Sequence, residues 1–139
     1  MFHNILLAYD GSEHSDRAVT FAQGLAKGHG ASLRIVYAFH PISRVLGNPT
    51  VEEMMQRETA EGNAIAEKAA ASLREAGLDP HVEVLEGPPA DAILRVAQVR
   101  DVDLIVMGSR GLGNAAAIFL GSVSHKVLQA SKCPVLIVK

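Results

Sequence analysis

Five short apolar segments, separated by stretches with helical patterning, constrain the fold of this 139-residue chain more than any other feature. Four of them are almost continuously apolar, which is typical of strands in a parallel sheet that is covered on both faces. The remaining one carries Glu83, is followed by Glu86 and predicts an edge strand. The predicted strands cover residues 5–9, 33–39, 82–85, 104–107 and 135–138.

Capping residues mark the first two predicted helices. Ser12 is placed to cap a helix that runs to about Gly28. The residues at 50–53, Thr-Val-Glu-Glu, form a capping-box pattern that opens an alanine-rich helix, and Gly77 is suited to end it in a left-handed conformation. The spacing predicts one apolar face on the first helix, made of Ala18, Phe21, Ala22 and Leu25.

Two more helices complete the alternation. Pro88 and Pro89 introduce a third helix that runs to about Val99, and a fourth begins at 121–122 and ends before Lys132. Strands that alternate with helices through right-handed crossovers predict an α/β fold with an open, doubly wound parallel sheet. We expect residues 1–139 to form one domain. Ligands of such sheets bind beyond the carboxyl ends of the strands, here after the first and fourth strands.

Composition and charge exclude several classes of function. The formal net charge of -2 and the lack of basic runs argue against a nucleic-acid partner, and aromatic residues at 4% leave few base-stacking platforms. The single cysteine, Cys133, excludes a disulfide framework and fits a reducing compartment. The first ten residues lack a basic region and a long apolar run, so we expect neither a signal peptide nor a membrane partner. The predicted location is the cytoplasm.

A glycine-rich stretch after the fourth strand carries most of the functional information. Residues 107–113 read Met-Gly-Ser-Arg-Gly-Leu-Gly, and Gly121 and Ser122 follow at the start of the predicted fourth helix. Glycines allow backbone N–H groups to approach an oxyanion closely, and a helix N-terminus adds further N–H groups and a positive dipole end. Ser122 and Ser124 add hydroxyl donors, and Arg110 adds a charged donor. The pattern predicts a phosphate site.

The glycines also allow other interpretations. A Walker A loop requires Gly-Lys-Ser or Gly-Lys-Thr, and the chain contains neither. Residues 111–116 satisfy the dinucleotide fingerprint Gly-x-Gly-x-x-Gly/Ala, although they follow the strand after a gap and no acidic residue lies at the distance needed to hold a ribose. A purely structural role, in which the glycines only form tight turns, also stays open.

Taken together, these residues resemble the ATP-binding members of the universal stress protein family. Gly108-x-x-Gly111, nine residues and then Gly121-Ser122 match the Gly-2x-Gly-9x-Gly-Ser/Thr pattern of that family. The segments at 5–12, 103–111 and 133–138 are similar to the family as well, so the resemblance extends over the whole chain.

The resemblance implies a five-stranded parallel sheet in the order 3-2-1-4-5 with helices on both faces, and a homodimer formed through the C-terminal strand. It also implies ATP, with or without Mg²⁺, across the ends of strands one and four. Backbone groups near Val36 would face the adenine. The family's binding positions correspond to Ala8, Asp10 and Val36 for adenosine, Met107 and Gly108 for ribose, and Gly111, Gly121, Ser122, Val123 and Ser124 for the phosphates.

Three further residues have both a functional and a structural interpretation. Asp10 is expected to contact the nucleotide or Mg²⁺, the alternative being a helix cap, a role that Ser12 can already fill. His125 is the histidine near the phosphate stretch, where it is either catalytic or directed to solvent. Cys133 precedes Pro134 and is expected to be buried. The spacing of the histidines indicates no metal site.

Three functions remain open at this point. The first is an ATP-dependent regulatory module in stress response. The second is a slow Mg²⁺-dependent ATP hydrolase or phosphate-transfer protein, because no Walker lysine or positioned general base supports rapid turnover. The third is an interaction module with a vestigial pocket.

Overall fold

A computed structural model describes residues 1–110 and 120–139. The described strands form one parallel sheet in the order β3-β2-β1-β4-β5, which confirms the predicted order and the edge position of the third strand. The elements are β1 (Asn4–Ala8), α1 (Glu13–His29), β2 (Ser32–Phe39), a 3-10 turn (Arg44–Leu46), α2 (Thr50–Glu75), β3 (His81–Glu86), α3 (Pro89–Val99), β4 (Leu104–Gly108), α4 (Ser122–Ala130) and β5 (Val135–Val138).

The central strand β1 explains why the apolar segments are nearly continuous. Ile5 and Leu7 face one layer, together with alanines of α1 and α2, whereas Leu6 and Ala8 face the opposite layer with α3 and α4. All four side chains are buried because helices cover both faces of the sheet. The predicted doubly wound α/β architecture is therefore confirmed.

Helix α1 begins as predicted, but its buried face differs from the predicted one. The Ser12 hydroxyl accepts from the Ser15 N–H at 3.2 Å and caps the helix. The prediction that Phe21 lies on the apolar face is wrong, because 52% of the residue is exposed. It lies about 100° around the helix from the adjacent Ala22, so the small residues pack on the sheet while the ring points away. The buried residues are Ser15, Ala18, Val19, Ala22 and Ala26.

Helix α2 ends as predicted, but its N-terminus is capped in a different way. The capping box at 50–53 is wrong, since Thr50 is already helical and the N-cap Pro49 makes no side-chain cap hydrogen bond. Backbone carbonyls replace the cap, as the Val51 N–H donates to the Gly47 carbonyl at 3.0 Å. At the other end, Gly77 has a φ of +89°, the left-handed conformation that glycine adopts readily.

The boundaries predicted for α3 and α4 are confirmed. Helix α3 begins at Pro89, and α4 begins at Ser122 after the N-cap Gly121. In a parallel sheet with right-handed crossovers, each helix begins at the carboxyl edge of the strand before it. The N-termini of α1, α3 and α4 therefore meet the ends of the strands, where the candidate site lies.

Gly62 permits the close contact between α2 and the sheet. A Cβ atom added there would lie 2.7 Å from both Tyr37 Cδ1 and Val84 Cγ1. Because this crowding is severe, we expect Gly62→Ala to lower the free energy of unfolding by about 1–3 kcal/mol. Gly24 in α1 is the matched control, since a Cβ atom there meets nothing within 4 Å. Gly24→Ala should raise the free energy of unfolding by about 0.5–1 kcal/mol.

Denaturant unfolding of the parent and the two variants tests this packing. Equal stability of the two variants would contradict the close approach of α2 to β2 and β3.

Candidate functional site

A cavity of about 350 Å³ opens at the carboxyl ends of β1, β2 and β4, beside the N-termini of α3 and α4. Every predicted site residue within the described part of the chain lies in its lining, whereas Gly111 falls outside the described residues. Sequence reasoning missed Tyr9, Ser15, Ala38, His40, Pro89 and Ile93. The predicted residues in the lining are Ala8, Asp10, Val36, Met107, Gly108, Arg110, Gly121, Ser122, Val123 and Ser124.

One end of the cavity is apolar, and the sheet register creates it. Ala8 pairs with Val36 on one side and with Met107 on the other, so these residues lie side by side where β1 ends. All three are buried, and Pro89 and Ile93 of α3 add apolar surface. A floor of this kind suits a flat apolar group such as a purine ring.

Backbone polar groups border this apolar end at Ala38. The carbonyl of Val36 itself is engaged in the sheet, accepting from the Tyr9 N–H at 3.0 Å. The Phe39 carbonyl accepts from Gly87 on the β3 side, so alternation along β2 turns the Ala38 polar groups toward the β1 side. Since β1 ends at Ala8, these groups face the cavity. Two-residue alternation from Val36 is the signal that could have identified Ala38.

The opposite end of the cavity is polar and is formed by the beginning of α4. The N-cap Gly121 makes no side-chain cap hydrogen bond, and its own N–H donates to the Ser109 carbonyl at 2.8 Å. Helix geometry leaves the N–H groups of the next three residues without intrahelical acceptors. The residues that carry them, Ser122, Val123 and Ser124, all line the cavity. This end is therefore suited to an anionic group.

The two serines at the beginning of α4, Ser122 and Ser124, differ in burial. Ser124 is 2% exposed, and its hydroxyl donates to the Ser109 carbonyl at 2.8 Å. A phosphate would have to compete with the Ser109 carbonyl for the proton of this hydroxyl, whereas the Ser124 backbone N–H is unaffected. The expectation that the hydroxyl donates to a phosphate stays a prediction. Ser122 is exposed at the first position of the helix.

Asp10 organises the turn that follows β1. Its Oδ1 accepts from the Ser12 N–H at 3.0 Å, and the Ser12 hydroxyl in turn caps α1. The cap role thus belongs to Ser12, while Asp10 orders the turn and lines the cavity. The neighbouring Tyr9 hydroxyl donates to Asp16, and burial, followed by that hydrogen bond, raises the pKa of Tyr9.

His14, in the first turn of α1, contacts the two residues that follow β4. Its Nδ1 lies 2.7 Å from Ser109 Oγ, and its Nε2 lies 3.0 Å from Arg110 Nη2. Sequence reasoning did not select it, because 95 residues separate His14 from Ser109 and only the pairing of β1 with β4 brings them together.

The remaining candidates lie away from the cavity. His125 is exposed on α4 and is not part of the lining, and Cys133 is half-buried with its Sγ 3.4 Å from Ser131 Oγ. Over residues 1–110 and 120–139, no group of three potential ligands is placed to hold a metal ion. In the same ranges, no helix combines the length and the apolar character that a membrane crossing requires.

Comparison with known proteins gives a consistent result. The model of the universal stress protein family matches residues 1–139. A universal stress protein of Thermus aquaticus, encoded in the QAH/OAS sulfhydrylase 3' region, is 44% identical over 142 residues and covers 100% of both chains.

Two solved structures extend the comparison to three dimensions. The hypothetical protein MJ0577, a universal stress protein of Methanocaldococcus jannaschii, has a TM-score of 0.91 and 27% identity, over 100% of this chain and 96% of its own. A universal stress protein solved in complex with cAMP has a TM-score of 0.76 and 32% identity, over 99% and 97% of the two chains. The chain described here belongs to the universal stress protein family.

Proposed function

We propose that this chain binds ATP in the cavity at the carboxyl ends of the strands and acts as a nucleotide-dependent regulatory module in a stress response. One observation carries the proposal. The same cavity has an apolar floor at Ala8, Val36 and Met107 and, at its other end, the open N-terminus of α4. A nucleotide has matching ends, a flat purine and a chain of phosphates.

The geometry suggests how each part of the nucleotide would lie. The purine would rest on Ala8 and Met107, with its edge toward the backbone of Ala38. The phosphates would accept from the first N–H groups of α4, with Arg110 at the rim of the same cavity. The solved relative with cAMP, at 32% identity, supports an adenine nucleotide as the class of ligand.

The charged residues of the lining favour binding over rapid hydrolysis. In the described part of the lining, Asp10 supplies the carboxylate, Arg110 the cation and His40 an imidazole. Asp10 accepts a backbone N–H through Oδ1, so its other carboxylate oxygen is the one open to a ligand. If the nucleotide arrives with Mg²⁺, the other Asp10 oxygen can serve as a hard, negatively charged ligand. Bound nucleotide therefore regulates the protein by being present or absent, and it is not hydrolysed rapidly.

A substitution at Gly121 tests the phosphate end. A Cβ atom added there would lie 3.3 Å from Arg110 Cα and 3.6 Å from Ser124 Oγ, so a branched side chain would occupy the entrance to the helix N-terminus. We expect Gly121→Val to weaken ATP binding by at least about tenfold, which corresponds to about 1.4 kcal/mol, in calorimetric titrations.

Gly24→Val is the control for this substitution, because Gly24 lies in open space on α1, away from the cavity. The control should bind ATP like the parent, and thermal unfolding should show that both variants are folded. Unchanged ATP affinity in Gly121→Val would contradict the placement of the phosphates. A parent that binds no nucleotide would favour the interaction module with a vestigial pocket.

We also propose that the chain forms a two-fold homodimer through antiparallel pairing of β5. This strand lies at the edge of the sheet, and its sequence, Val-Leu-Ile-Val, carries no charge. The Pro134 carbonyl accepts from Ile105 of β4, and the Val138 carbonyl accepts from Ser109, the residue after β4. Strand alternation therefore directs the polar backbone groups of Val135 and Ile137 outward. An apolar edge with unpaired groups favours pairing with another strand, and a closed two-fold pairing satisfies both edges.

Two substitutions at one position separate strand pairing from packing. Ile137→Pro removes the outward N–H, whereas Ile137→Ala removes the side-chain packing but keeps that donor. We expect light scattering to show a dimer for the parent and for Ile137→Ala, and a folded monomer for Ile137→Pro. A monomeric parent, or a folded Ile137→Pro variant that dimerises as well as Ile137→Ala, would contradict this interface.

A further inference from the structure

We infer that His14 is a positioning residue that holds the Arg110 guanidinium at the phosphate end of the cavity, and that it thereby sets the preference for a phosphorylated nucleotide over the nucleoside. The inference rests on the proposed function and assigns a role to a residue outside the nucleotide pattern. His14 itself is not part of the cavity lining, whereas Arg110 is. His14 therefore acts through Arg110 rather than by touching the ligand.

The backbone at the end of β4 makes this contact possible. A Cβ atom added at Gly108 would lie 2.6 Å from His14 Cβ and 2.8 Å from the His14 carbonyl carbon. Any other residue at 108 would thus push the first turn of α1 away from β4. Because Gly108 permits the approach, the imidazole reaches both residues that follow β4.

The donors and acceptors fix the direction of the hydrogen bonds. A guanidinium can only donate, so the contact of 3.0 Å between Arg110 Nη2 and His14 Nε2 requires that Nε2 accept. In the neutral imidazole the ring proton is then on Nδ1, which lies 2.7 Å from Ser109 Oγ and donates to it. Ser109 is 8% exposed and held on several sides, so it anchors the ring. The ring in turn holds the Nη2 end of the guanidinium.

A guanidinium held in place affects the binding of the phosphates and not that of the base. A long arginine side chain loses rotamer entropy when it binds an anion, and a side chain that is already held loses less. Adenosine has no phosphate and would gain nothing from this arrangement, whereas ATP would. His14 should therefore affect the difference between the two affinities rather than the affinity for the base.

Two conservative substitutions isolate the contact. His14→Asn places an amide near the position of Nδ1, where it can bond to Ser109, but it does not reach Arg110. His14→Gln extends to the position of Nε2 and can offer Arg110 an oxygen acceptor. His125→Asn is the matched control, since His125 is exposed on α4 and lies outside the lining.

Calorimetric titrations of the parent and the three variants with adenosine and with ATP test whether His14 acts on phosphate binding. We expect His14→Asn to bind ATP about tenfold more weakly than the parent, and His14→Gln and His125→Asn to stay within about twofold of it. Adenosine affinity should be the same in all four.

Each other outcome overturns the inference in a recognisable way. If His14→Asn binds ATP as well as the parent, or better, His14 does not hold Arg110 in a productive position. If adenosine and ATP weaken together, the residue is merely structural. If the parent binds neither ligand, the proposed function fails, and this inference fails with it.

Discussion

Ser109, the residue that follows β4, joins the elements that surround the cavity. Its N–H donates to the Val138 carbonyl of β5 at 2.7 Å, and its carbonyl accepts from the Gly121 N–H at 2.8 Å. The Ser124 hydroxyl donates to the same carbonyl, and Ser109 Oγ contacts His14 of α1. One residue thus fixes the edge strand, the beginning of α4 and the first turn of α1. Because this attachment sets where α4 begins, the residues that carry its free N–H groups line the cavity.

The same attachment links the two proposals about function. The residue that bonds to the last carbonyl of β5 also bonds to the N-cap of α4, so the proposed dimer strand and the proposed phosphate site share a neighbour. A ligand at the beginning of α4 and a second chain on β5 would therefore contact elements that Ser109 joins directly.

The fold was predictable from the sequence because its rules are local and repetitive. Continuous apolar segments indicated a sheet covered on both faces, and residues such as Ser12, Gly77 and Pro89 marked helix ends through their own backbone chemistry. The prediction failed where packing between elements decides which side chains are buried. Phe21 has the hydrophobicity of a core residue, but the small side chains beside it bring α1 to the sheet and leave the ring exposed.

The site was predictable only in part. Glycines and serines at fixed spacing indicated the polar end, because they report on backbone that must come close to an anion. The resemblance to a family, not the spacing, supplied Ala8, Val36 and Met107. His14 and the backbone of Ala38 could not be identified from the sequence, because their roles depend on where β1 ends between β2 and β4. The role of the Ser124 hydroxyl likewise depended on a carbonyl that only the folded chain brings near.

Amide chemical shifts measured with adenosine and with ATP test the central claim most directly, because they report on both ends of the cavity in one experiment. The account predicts that adenosine shifts the amides of Ala38 and of the end of β1. ATP should shift these and, in addition, Ser122, Val123 and Ser124 at the beginning of α4. Shifts confined to another surface, or the same pattern with both ligands, would contradict a cavity that holds the base at the strand ends and the phosphates at the helix.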